Sequence, residues 1–144
     1  MLLVNCDSKY DFRDSYDGEI DLALDGVLYV DILNTSSSTR NIQLRVQTHF
    51  YGCGGYRLVY DFKKDGAEIN LQIEGVDRPD EGCPTELAPA EESWDLLLAP
   101  GTYIWRIAAN DQSDLFQVVV DEEKADLIQL DSTFTQGYHT HVDF

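Results

Sequence analysis

The chain has 144 residues, 43% of them hydrophobic, 11% aromatic and only four of them proline, which is the composition of one folded domain. Its 27 acidic residues against 10 basic ones give a net charge of -17, which repels phosphate backbones and argues against nucleic acid and anionic membrane surfaces as partners. No run approaches the roughly 18 apolar residues that a membrane-spanning helix needs.

The chain opens "MLLVNCDSKYDF", a short apolar run that meets Cys6 and turns polar at once. Residues 1–18 read as a leader remnant or tether, and 19–144 as a single β-sandwich domain. Across the end of the tether, "RDSYDGEID" carries part of the spacing of a calcium loop. Arg13 stands at the first ligand position and Leu24 at the bidentate acidic one, so a regular loop is not expected. An irregular calcium site on Asp14, Asp17 and Glu19 is the remaining alternative to a plain acidic lead-in.

From there the hydrophobic period is two. "EIDLALDG" puts Ile20, Leu22 and Leu24 on one face before an Asp-Gly turn. "VLYVDIL" follows, with Leu28, Val30 and Ile32 opposite Tyr29, Asp31 and Leu33. In "NIQLRVQTHF", Ile42, Leu44, Val46, Thr48 and Phe50 face one way. "YGCGG" turns the chain into "YRLVYDF", which places Tyr56, Leu58, Tyr60 and Phe62 together. Asp65-Gly66 is a second hairpin signal before "AEINLQI". These last three strands read as a β-meander.

Val76–Ser93 holds three prolines and several acids and reads as a long connection between sheets. "SWDLLLAPGTYIWRIAA", "LFQVVVD", "ADLIQL" and "TFTQGYHTHVDF" complete the strands. Only "AEES" and "DEEKAD" suit a helical turn. The fold class expected is all-β: an antiparallel β-sandwich of about eight to ten strands.

Of the three cysteines, Cys53 and Cys83 are flanked by turn residues. Two loop cysteines in a β-rich chain commonly pair. A disulfide Cys53–Cys83 would contribute about 3–4 kcal/mol in the chain-entropy model and imply an oxidising compartment. The alternative is two free thiols in the cytosol. No C-x-x-C is present.

In "YHTHVDF", residues two apart share a strand face, so His139, His141 and Asp143 would line up. His-x-His with a carboxylate suits zinc or copper, with His49 as a further ligand from across a sheet. The plainer reading is a polar strand face with Tyr138, Thr140 and Val142 turned inward. No nucleophile elbow or phosphate loop is found, and the glycines of "YGCGGY" read as turn geometry. Trp94 and Trp105 alternate with aliphatics and read as core. A sugar-stacking platform is the functional alternative.

"LLLAPGTYIWRIAANDQSDLFQVVV" resembles the corner and last hairpin of immunoglobulin-like and fibronectin type III-like modules of secreted bacterial proteins. The residues that carry the resemblance are Leu98, Pro100, Gly101 and Tyr103. It implies an immunoglobulin-like sandwich with Tyr103 as a tyrosine corner, its phenol bonding backbone near the turn. Cys53 and Cys83 sit in turns, unlike the inter-sheet pair of antibody domains. Leu3-Val4-Asn5-Cys6 followed by Asp7-Ser8 resembles the tail of a bacterial lipoprotein signal, which implies that Cys6 is lipidated. Asn5 replaces the usual small residue and the apolar run is short, so a plain leader-proximal cysteine is the alternative.

The function expected is a non-catalytic extracellular or cell-envelope module for partner binding or surface assembly, with a protein or glycan partner at the cell surface contacted through the acidic Val76–Ser93 loop and exposed sheet edges. A metal-binding protein and a carbohydrate-binding or glycan-hydrolysing protein are the alternatives.

Overall fold

The computed structural model describes residues 27–34, 41–51, 56–77 and 88–144. Cys6, Cys53 and Cys83, the tether with Asp14 and Asp17, Glu19, and the strand expected at Ile20–Leu24 lie outside these residues. So do the first Asp-Gly turn and the middle of the connection after Asp77. The described chain is all-β. Its strands are β1 (Leu28–Asn34), β2 (Asn41–Tyr51), β3 (Arg57–Asp65), β4 (Glu68–Asp77) and β5 (Ala88–Leu97). They continue as β6 (Gly101–Ala109), β7 (Gln112–Val120), β8 (Lys124–Gln129), β9 (Thr135–Gly137) and β10 (His141–Asp143).

Two sheets form, ordered β5-β2-β1-β9 and β10-β8-β7-β6-β4-β3. They enclose one core, the arrangement of a β-sandwich. The alternation decides which side chains fill it: Leu28, Val30 and Ile32 from β1, and Ile42, Leu44 and Val46 from β2. The other sheet answers with Ile69, Leu71 and Ile73, Trp105 and Ile107, and Phe116 and Val118, all buried. In β4 a bulge pairs Val59 with Gly75 and Tyr60 with Ile73. The skipped residue shifts the parity, so that Val76 also turns into the core.

Three expectations are corrected. β2, β3 and β4 are not a meander: β2 lies between β1 and β5, with both edges paired, and β3 joins the other sheet. The sheets are also not wholly antiparallel, because β4 pairs β6 and β1 pairs β9 in parallel. β6 meets β4 only after β5 has run in the opposite sheet, and a strand that returns this way can arrive parallel. Finally, Ala88–Ser93 is strand, not connection or helical turn. Long-range pairing of β5 with β2, from Tyr51↔Ala88 to Asn41↔Leu97, overrides the local preference of "AEES".

The turns follow their residues. Gly66, at φ +61°, sits at the first central position of the two-residue β3–β4 hairpin, where a type II′ turn needs a residue free of a Cβ. Asn110 and Asp111 both have positive φ, the type I′ signature, and close the β6–β7 hairpin. Before β8, where "DEEKAD" suggested a helical turn, Asp121 Oδ1 accepts the N–H groups of Glu123 and Lys124. That side-chain turn competes with helix and the strand starts at Lys124.

Candidate functional site

The outer face of the four-stranded sheet is laid out by register. Tyr29 of β1 pairs with Gln136 of β9 on one side and Gln47 of β2 on the other, and Gln47 pairs with Glu91 of β5. The next row is Asp31, Arg45 and Ser93, and the next Leu33, Gln43 and Asp95. Paired residues point to the same face, and the apolar residues between these rows fill the core, so all three rows point outward.

Asp31 is the exception to what an outward position should be: it is fully buried. Arg45, directly across the ladder, donates from Nε and Nη2 to Asp31 Oδ2 at 2.9 and 2.7 Å. The other oxygen, Oδ1, accepts the backbone N–H of His139 at 2.9 Å and lies 3.3 Å from His139 Nδ1. A desolvated carboxylate is tolerable only when both oxygens are satisfied, and here both are. The segment after β9 supplies the cover by running on beside β1. Tyr138 N–H donates to the Val30 carbonyl, and Ile32 N–H to the His139 carbonyl. Tyr138 then stands edge-on to both Tyr29 and His139, with 63% of its surface in water.

The structure divides the sequence-derived trio His139, His141 and Asp143. β10 begins only at His141, so His139 still belongs to the bend beside β1 and faces Asp31. His141 lies on the outside of the six-stranded sheet. Its Nδ1 is 2.6 Å from Asp126 Oδ1 and its Nε2 2.8 Å from Asp143 Oδ1. Hydrogen bonds donated by the ring, first to Asp126 and then to Asp143, hold the imidazolium and raise its pKa above the ordinary 6.5. With a carboxylate hydrogen-bonded at each nitrogen, the imidazolium has no lone pair to offer a metal. Among the described residues no three His, Cys, Asp or Glu side chains converge as a metal site. Val142 turns inward as expected, whereas Tyr138 and Thr140 are exposed. His49 falls in β2, and its side chain lies outside the described part.

Tyr103 donates from its hydroxyl to the carbonyl of Ala99 at 2.7 Å, across the short link between β5 in one sheet and β6 in the other. Trp105 is fully buried, and its Nε1 has no hydrogen-bond partner. Trp94 is half-buried where β3 and β5 meet. Phe62 stacks on it at 4.4 Å and 5°, and Tyr60 meets it edge-on at 5.2 Å. Phe62 therefore covers one face of the indole, which makes Trp94 a gasket between the sheets more than a platform.

Sequence reasoning missed Asp31 and Asp114. Asp114, in β7, is buried at one end of the core. It accepts the N–H groups of Thr133, Phe134 and Thr135 and the Thr135 hydroxyl. Burial pushes its pKa up, but these hydrogen bonds outweigh burial and leave it below the ordinary 3.8. The one available signal was a carboxylate set among apolar strand residues, in "VLYVDIL" and "SDLFQVVV".

No helix among the described residues is long and apolar enough to cross a membrane. Comparison with protein-family models, with curated proteins and with solved structures found no match to this chain.

Proposed function

We propose that this chain is a non-catalytic β-sandwich module, immunoglobulin-like in the broad sense, that works outside the cell or in the cell envelope. It binds its partner across the outer face of the four-stranded sheet. The observation that carries this reading is the buried Asp31 at an outward-facing position, fixed by Arg45 and by His139. Such a clamp holds the surrounding side chains in one arrangement, so little entropy remains to be lost on binding. The extracellular placement is supported by the sequence of Cys6, Cys53 and Cys83, and the immunoglobulin-like type by the Tyr103 bond across the sheet-to-sheet link.

Hydroxyl-radical footprinting of the whole chain with a solubilised cell-envelope fraction tests it. Protection should concentrate on Tyr29 and Tyr138. The corresponding surface of the other sheet, at Ile104, Leu115 and Ile128, should stay reactive. Equal protection of both faces, or none, removes the reading.

A further inference from the structure

We infer that the occupant of this face is a neutral, polyhydroxylated glycan chain; the inference rests on the reading just given.

The charge on the face selects among ligands. Among the described residues of the face the one Lys or Arg, Arg45, is committed to Asp31 through two donors, and Asp95 already accepts from Gln43 Nε2 at 3.1 Å. The other polar groups of its rows are acids, amides and hydroxyls, on a chain of net charge -17. Among these residues uronates, sulfates and phosphates would meet no free Lys or Arg, and the net charge of the chain would repel them.

Hydrogen-bonding capacity points the same way. Gln136, Gln47 and Glu91 lie on one line across β9, β2 and β5, with Tyr29 of β1 between them. At about 4.8 Å per strand this line spans roughly 14 Å. Amides offer both donor and acceptor and a carboxylate offers acceptors, the complement of vicinal hydroxyls, each of which is donor and acceptor at once. Beside the line stands Tyr138, the one large ring more than half exposed among the described residues of the face, in contact with Tyr29 and His139. A sugar ring has apolar C–H faces as well as hydroxyls, and an immobile exposed aromatic is the surface that receives them.

A protein partner would call for a different centre. Protein interfaces gather their energy at a desolvated apolar core inside a polar rim. Here the centre is an ion pair flanked by amides, and the exposed aliphatic Leu97 lies at the end of β5.

Isothermal titration of the whole chain with soluble xylan, mannan, β-glucan and chitin oligosaccharides tests the inference, with polygalacturonate and heparin as anionic controls. At least one neutral glycan should bind. Tyr138→Ala and Gln47→Ala should each weaken it on the order of tenfold, the scale of losing one central contact. Gln72→Ala, on the outer face of the other sheet, should leave binding unchanged. Circular dichroism confirms that each variant is folded, and Tyr138→Phe, which keeps the ring, should retain most of the affinity.

Binding to none of the neutral glycans, equal or tighter binding of the anionic ones, or full affinity in Tyr138→Ala overturns the inference. Footprinting separates this failure from that of the broader reading. If protection of Tyr29 and Tyr138 survives digestion of the envelope fraction with glycan-degrading enzymes and is lost on protease treatment, the face binds a protein and the glycan inference alone falls. If protection is absent from the start, both fall.

Discussion

Along one side of the sandwich, where the edge strands β3 and β5 meet, the sheets are closed by Tyr60, Phe62 and Trp94 packed ring on ring. Along the other side the C-terminal segment leaves β8, joins the four-stranded sheet as β9 and returns as β10. There carboxylates act beside the amides of Gln129 and Asn34: Asp114 on the backbone of 133–135, Asp31 on His139, and Asp126 and Asp143 on His141. The first side is held mainly by apolar contact, which is nearly indifferent to pH, with one long hydrogen bond from the Tyr60 hydroxyl to Glu92 at 3.5 Å. The second is held in part by groups that titrate. One fold thus carries a passive seam and a seam that responds to its medium, and the proposed binding face lies against the second.

The comparison is broken most sharply at Asp114. Asp114→Ala leaves the N–H groups of Phe134 and Thr135 buried without an acceptor, along with the Thr135 hydroxyl. At about 1–3 kcal/mol for each orphaned group, the loss should reach about 3–5 kcal/mol by urea unfolding at neutral pH. The folded-state pKa is depressed, so this contribution is present above the ordinary 3.8 and disappears as pH falls through the lower folded value. The wild type should therefore lose stability at the acid end of that window, and Asp114→Asn should flatten this limb. A loss below about 1 kcal/mol for Asp114→Ala would mean that the segment around 133–135 is held by something else.

On the opposite side, Trp94→Ala should cost about 2–3 kcal/mol, somewhat below the figure for a fully buried ring because the indole is half-exposed. The cost should be the same at pH 5 and pH 8, and Trp94→Phe should recover much of it. A strongly pH-dependent loss would erase the distinction between the two sides.

The two sides also differed in how far the sequence disclosed them. Alternation named the residues that turn inward at Ile42, Leu44 and Val46, and at Tyr60, Phe62 and Trp94, because burial on one face leaves a period of two. Period two says which face a residue takes and nothing about which strand lies beside it, which is why β3 was joined to β2 when it belongs to the other sheet. Asp31 fell on the outward set and was read no further. Its partners Arg45 and His139 are 14 and 108 residues away in sequence, beyond any local pattern. His139 and His141 part for a related reason: strand parity in the sequence runs back to His139, but pairing with β8 begins only at His141.

The smallest effect is also the most specific. His141 carries its proton between Asp126 and Asp143, so its folded pKa is raised above 6.5. Stabilisation from this group is fully present below the unfolded value and is lost as pH rises through the folded one. Asp126 sits on β8 and His141 on β10, so the bond joins the last strand to its neighbour. Imidazole titration by NMR should place the His141 midpoint above 6.5. Asp126→Asn should bring it back further than Asp143→Asn does, because the Asp126 bond is the larger cause. Amide exchange at Val142 should quicken as pH rises through that midpoint by more than the intrinsic pH dependence of exchange, while Leu71 of β4, deep in the same sheet, should show no such excess. A midpoint at or below 6.5 would mean that the imidazolium is not held between the two carboxylates, and among the carboxylates the hold on the C-terminal side would then fall to Asp31 and Asp114.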